Sequence, residues 1–93
     1  GATVKFSGTA DNDNSKLLAL SDTAGAGGMA AGVGVEILDA NKNSVAINTD
    51  SASQPLQEGD NNTLTFFLRY KATKIPVTAG NASSVMYFDL SYQ

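Results

Sequence analysis

The chain has 93 residues, enough for one small domain, with 42% hydrophobic residues and a formal net charge of −3. It contains no Trp, His or Cys, which removes the usual proton shuttle and thiol nucleophile. Its sequence pI near 4.5 argues against a nucleic-acid surface, where a basic face is expected. No apolar run approaches the ~20 residues needed to cross a bilayer as a helix, and residue 1 opens directly into a strand-like run rather than a signal peptide.

In chain order the dominant period is two. Thr3 to Phe6 puts Val4 and Phe6 on one face, and Asp11-Asn12-Asp13-Asn14-Ser15 follows as an Asx-rich loop. Leu17 to Leu20 is a short apolar run, and Leu17 to Asp22 has the length of a single helical turn. Ala24 to Gly34, rich in Gly and Ala, reads as a flexible connection. Val33, Val35 and Ile37 then alternate with Gly34, Glu36 and Leu38. Asp39 to Asn43 reads as a hairpin, leading to a second alternation at Val45 and Ile47. Glu58 to Asn62 is a loop before the longest alternation, Leu64, Phe66, Leu68 and Tyr70. Ala79-Gly80-Asn81 is the last turn, and Met86, Phe88, Leu90 and Tyr92 alternate to the end. Successive strand side chains point to opposite faces, so these runs are half-buried strands, and their spacing predicts an all-β sandwich or barrel.

Other chemistries fit poorly. Serines are plentiful, but none has an evident base beside it, so the chain is read as no enzyme. Asp11, Asp13, Ser15 and Asp22 partly mimic a calcium loop, yet Lys16 stands where that loop needs glycine. The Gly-rich run lacks the spacing and the following Lys of a phosphate loop. Asn61-Asn62-Thr63 and Asn81-Ala82-Ser83 match the glycosylation sequon, in turns. Arg69, Lys71 and Lys74 read as a solvated strand face. No metal or cofactor is expected.

The last seventeen residues, Val77 to Gln93, closely resemble the end of type 1-like fimbrial subunits of the chaperone–usher pathway. In that family a glycine stands fourteen residues from the end, followed by alternating apolar residues and a penultimate tyrosine. Here these are Gly80, then Met86, Phe88 and Leu90, then Tyr92. Upstream, Asn62 to Thr73 looks like the preceding strand and Gly32 to Asp39 like the middle strand. Val4 to Asp11, followed by Leu17 to Leu20, matches an internal stretch.

The resemblance implies an incomplete immunoglobulin-like β-sandwich, a pilin fold lacking its last strand and completed by a donor strand. Residues 1–93 would be the C-terminal part of one pilin domain, without its leading strands, N-terminal extension and disulfide pair. It also implies a groove along the final strand, lined here by Leu64, Phe66, Leu68, Tyr70, Met86, Phe88, Leu90 and Tyr92. A periplasmic chaperone would fill that groove first and a neighbouring subunit's extension later. Basic chaperone residues would hold the terminal carboxylate of Gln93. The implied partners are neighbouring subunits, the chaperone, the outer-membrane usher and the missing N-terminal part of the same subunit, without nucleic acid. The implied place is a fimbrium on the bacterial surface, contributing to cell adhesion, after passage through the periplasm. Two alternatives stay open: the pilin domain of a two-domain adhesin, and an unrelated β-sandwich binding module.

Overall fold

The structure, a computed structural model, describes residues 1–21, 25, 27–56 and 63–92. The loop expected at Glu58 to Asn62, the first sequon, Asp22, part of the Gly/Ala segment, the Tyr92 side chain and Gln93 lie outside what is described. The expected all-β class holds: six strands and, among the described residues, no helix. They are β1 (Ala2–Ser7), β2 (Leu18–Ala19), β3 (Val33–Leu38), β4 (Ser44–Val45), β5 (Phe67–Ala72) and β6 (Tyr87–Tyr92).

Two sheets face each other. One is the antiparallel pair β1–β6, in the register Val4↔Leu90 and Phe6↔Phe88. The other is built on β3, which pairs antiparallel with β2 (Leu18↔Val35) and β4 (Ile37↔Val45) along one edge. Its other edge carries β5, in the register Val35↔Tyr70 and Ile37↔Leu68. The core lies between the sheets: Val4 and Phe6 from β1 meet Leu18, Val35, Ile37, Val45 and Ile47. The period-two pattern thus translates directly into packing. The apolar members of β1 and β3 share one interior, each large side chain contributing roughly 1.5–3 kcal/mol by its burial.

Connections explain the strand limits. After β1 the chain crosses to the second sheet, where the Ala19 N–H donates to the Thr9 carbonyl (2.8 Å) and the Asp11 N–H to the Leu17 carbonyl (2.9 Å). Leu18 and Ala19 are therefore a strand rather than part of a helical turn. Tertiary pairing overrides a local propensity that is weak in so short a run. The expected hairpin is present: Asp39 Oδ1 accepts the N–H groups of Asn41 and Asn43, each at 2.9 Å, and Lys42 takes φ 67°. The Val45–Ile47 alternation gives only a two-residue strand, because the Ile47 N–H turns to the Lys16 carbonyl and Asn48 takes φ 59°. Residues 48–54 then cover the free edge of β1. The Asn48, Ser51 and Gln54 N–H groups donate to the Phe6, Val4 and Ala2 carbonyls, and Ser51 Oγ accepts the Val4 N–H at 2.9 Å.

On the outer face of β3 and β5, Arg69 and Lys71 are exposed, as expected of a solvated strand face, but both also pair with Glu36. Glu36 is only 3% exposed, and its carboxylate accepts hydrogen bonds from Arg69 Nε (2.5 Å) and Lys71 Nζ (3.0 Å). Burial alone would raise the Glu36 pKa, but the hydrogen bonds and charges of Lys71 and Arg69 outweigh it and hold the carboxyl below its usual value. A lowered folded pKa means that the folded state binds fewer protons than the unfolded one. The stabilisation is therefore complete above the ordinary value of 4.5 and is lost as pH falls through the lowered one. Glu36→Gln, which keeps the volume, is expected to cost about 1–2 kcal/mol at neutral pH, since both cations are partly exposed and can rehydrate. Thermal unfolding from pH 7 to pH 3 checks this, with the gap between wild type and variant closing in acid.

Candidate functional site

In a finished sandwich, residues facing inward are buried on every strand. Here they are buried on two strands and open on two others. Val35 and Ile37 of β3 are 8% and 1% exposed, yet their cross-strand neighbours on the same face, Tyr70 and Leu68 of β5, are 59% and 56% exposed. On the other sheet Phe6 is 6% exposed and its partner Phe88 is 67%. Leu90, opposite buried Val4, is exposed as well. The cause is topological. β5 pairs only with β3 and β6 only with β1, so among the described residues each presents one unpaired edge, and both border the same seam between the sheets.

The seam holds two adjoining clefts that share Met86. One, about 380 Å³, is lined by Val4, Phe6, Leu64, Phe66, Met86, Phe88 and Leu90. The other, about 450 Å³, is lined by Leu18, Val35, Leu68, Arg69, Tyr70, Ser84 and Met86. Seven of the eight groove residues expected from the resemblance thus line one opening; the eighth, Tyr92, sits on β6 opposite Ala2 in backbone register. Leu64 and Phe66 lie before β5 rather than on it, and Phe66 is held by an edge-to-face contact with Phe6, 4.8 Å between ring centroids. The floor residues Val4, Phe6, Leu18 and Val35 were not singled out for the site. Their alternation was visible, but not that their strands pair with β6 and β5.

Gly80 is placed by close approach. A Cβ there would lie 2.5 Å from the Gly28 carbonyl oxygen and 2.7 Å from Ala30 N. Around it a short backbone ladder ties the glycine-rich segment to the chain before β6. The Ala30 N–H donates to the Asn81 carbonyl (2.8 Å), the Asn81 N–H to the Gly28 carbonyl (2.7 Å), and Ala31 and Thr78 exchange bonds at 3.0 Å. Asn81 Nδ2 adds a bond to the Gly27 carbonyl at 3.0 Å. Residues 27–31 of the segment expected to be flexible are therefore fastened, which a composition of small residues cannot reveal. They are fastened next to the start of β6, the strand that carries half of the seam.

A two-sheet, all-β chain with an open apolar seam along its final strand is the arrangement of a pilin domain. The chain belongs to the fimbrial protein family, whose model, described as "Fimbrial protein", matches residues 1–93. It is 52% identical over 94 residues to the fimbrial-like protein YcbU of Escherichia coli K12, covering 100% of this chain and 52% of that protein. It is 46% identical over 94 residues to the type-1 fimbrial protein A chain of Salmonella typhi, covering 99% and 50%. A solved structure, the Burkholderia pseudomallei antigen and type I fimbria protein BPSL1626, superposes with a TM-score of 0.85 at 39% identity, covering 99% of this chain and 59% of that one. The chain spans about half the length of the curated relatives it matches.

Proposed function

We propose that this chain is the strand-accepting part of a structural subunit of a bacterial fimbria, which polymerises by donor-strand complementation and so contributes to cell adhesion. The observation that carries the reading is the seam. Inward-facing Leu68, Tyr70, Phe88 and Leu90 are exposed opposite buried partners, and among the described residues β6 offers an unpaired backbone edge beside them. An extended segment laid along β6 would satisfy that edge with main-chain hydrogen bonds. It would also place alternate side chains in the two clefts. The occupants follow from the family: a chaperone strand in the periplasm, then, after the usher, the N-terminal extension of the next subunit. The leading part of the same subunit completes the remaining strands. Gln93, the residue after Tyr92 in the sequence, is the one whose carboxylate the chaperone would anchor. Type-1 fimbrial proteins among the relatives favour a fibre subunit on the cell surface over the pilin domain of an adhesin.

The sequence has no cysteine, so Leu90→Cys gives this part of the subunit a single thiol inside the seam. Maleimide labelling of residue 90, read by peptide mass mapping, is expected to be fast in the unassembled subunit. In fibres it should be at least tenfold slower. Equal labelling before and after assembly would show that the seam stays empty and would remove the reading.

A further inference from the structure

The two ends of the seam are built differently. Around Leu90, Phe88 and Phe66 the cleft is bounded by apolar side chains. Before β6, polar bonds draw the sheets together. Ser84 Oγ donates to the Ala19 carbonyl (2.7 Å), Ser83 Oγ to the Ser21 carbonyl (2.6 Å), and the Ser21 N–H to the Ser83 carbonyl (2.7 Å). These fasten the 82–84 arm to the chain continuing from β2. A fourth bond runs the other way: the Tyr70 hydroxyl, on β5, donates to the Ala82 carbonyl at 2.9 Å. It links the two lips of the seam, and the Tyr70 that makes it lines the same cleft as Leu68, Ser84 and Met86. The Tyr70 side chain that makes it belongs to a residue 59% exposed, so little packing holds the ring, and the bond to Ala82 fixes its position.

We propose that Tyr70 is the end stop of the groove, setting how far along β6 an inserted strand runs and therefore its register. The inference rests on the strand-accepting reading and adds a residue that decides specificity within it. A strand lying along β6 sends every second side chain into the seam, a step of about 7 Å. Such side chains fill the space beside Leu90, Phe88 and Met86 in turn. Beyond Met86 the backbone of the incoming strand meets the Tyr70–Ala82 bond and advances only by breaking it. Insertion therefore ends at about seven residues, one for each position from Met86 to Tyr92 paired across an antiparallel or parallel ladder. The small side chains of Ala82, Ser83 and Ser84 leave room for the strand to continue once the phenol lets go.

The test uses the intact subunit freed of its neighbours. The probes are synthetic peptides of alternating Thr and Val, lysine-tagged for solubility and 5 to 13 residues long. Binding is followed by fluorescence anisotropy. In the wild type, affinity is expected to rise with length to about seven residues and then stay level. In Tyr70→Phe, which keeps the ring and loses only the hydroxyl, nine- and eleven-residue peptides are expected to bind roughly 2- to 10-fold more tightly than seven-residue ones, the worth of one hydrogen bond. Tyr70→Leu is expected to show the same gain, together with new amide protection at Ala82. If the length profiles of wild type and Tyr70→Phe coincide, the end stop is wrong and the groove stands. If no peptide binds the wild type or either variant, the groove reading fails and takes the end stop with it.

Discussion

Phe88→Asp is expected to abolish strand insertion while leaving the unassembled chain folded. Phe88 is 67% exposed, so in the open state a carboxylate at this position remains in water and costs little. On insertion it would be enclosed between the incoming strand, Phe6 and the apolar residues of the adjoining cleft. Among the described residues, no cation lines that cleft to pair with it. Burying an unpaired charge costs several kcal/mol, so affinity should fall by about 10³-fold or more. Tyr87 is the matched control, since it is also 67% exposed and is the next residue along the same strand. Being one residue away, it faces the opposite side of the sheet. Tyr87→Asp should change affinity by less than about threefold, as surface substitutions usually do. Measuring both variants against a donor peptide separates a seam from a generally fragile strand. Equal losses would show that β6 is merely sensitive to charge.

Gly80→Ala is expected to be clearly destabilising. The atoms a Cβ would strike are all backbone: the Gly28 carbonyl oxygen at 2.5 Å, with Ala30 N and the Met29 carbonyl carbon at 2.7 Å. Backbone cannot swing aside as a side-chain tip can, so the ladder joining residues 28–31 to 78–81 must open. A loss of about 1–3 kcal/mol is expected, the usual cost of overpacking. Asn81→Ala, which removes only the side-chain bond to the Gly27 carbonyl, should cost about 1 kcal/mol or less at this exposed site. Denaturant unfolding of the two variants ranks them, and a Gly80→Ala subunit as stable as the wild type would mean that the ladder gives way freely. Because the ladder leads into β6, the Gly80→Ala variant should also bind donor peptide more weakly.

Much of the fold was legible because period two is a direct consequence of strand geometry. Val4 and Phe6, Val35 and Ile37, and Met86, Phe88 and Leu90 announce their shared interior face without any tertiary knowledge. The groove residues could be named from the same alternation once the C-terminal pattern of Gly80 and Tyr92 was recognised. What alternation does not encode is which strands are neighbours. Nothing in Phe88 itself says that its partner is Phe6, or that its far edge is unpaired. The same gap hid Glu36: an acidic residue at an outward position looks solvated until Arg69 and Lys71, thirty-three and thirty-five positions away, close over it. The segment before β3 misled for a related reason. Small residues are read as flexible, but residues 28–31 are bonded to the chain around Gly80, whose own lack of a side chain allows the close approach. Leu18 and Ala19 form a strand only because Thr9 and β3 offer bonds on either side.

The central claim is that the seam between β5 and β6 takes an extended strand along β6. Amide hydrogen exchange, resolved by residue and compared between the unassembled subunit and the same subunit in fibres, tests it most directly. In an antiparallel pair alternate amides of β6 point away from β1, and in the open subunit these should exchange quickly. On assembly those alternate amides from Tyr87 to Tyr92 are expected to gain protection of 100-fold or more, while the amides already bonded to β1 change little. Fibres in which the outward amides of β6 still exchange as fast as in the unassembled subunit would contradict the account, because an occupied seam cannot leave that edge in water.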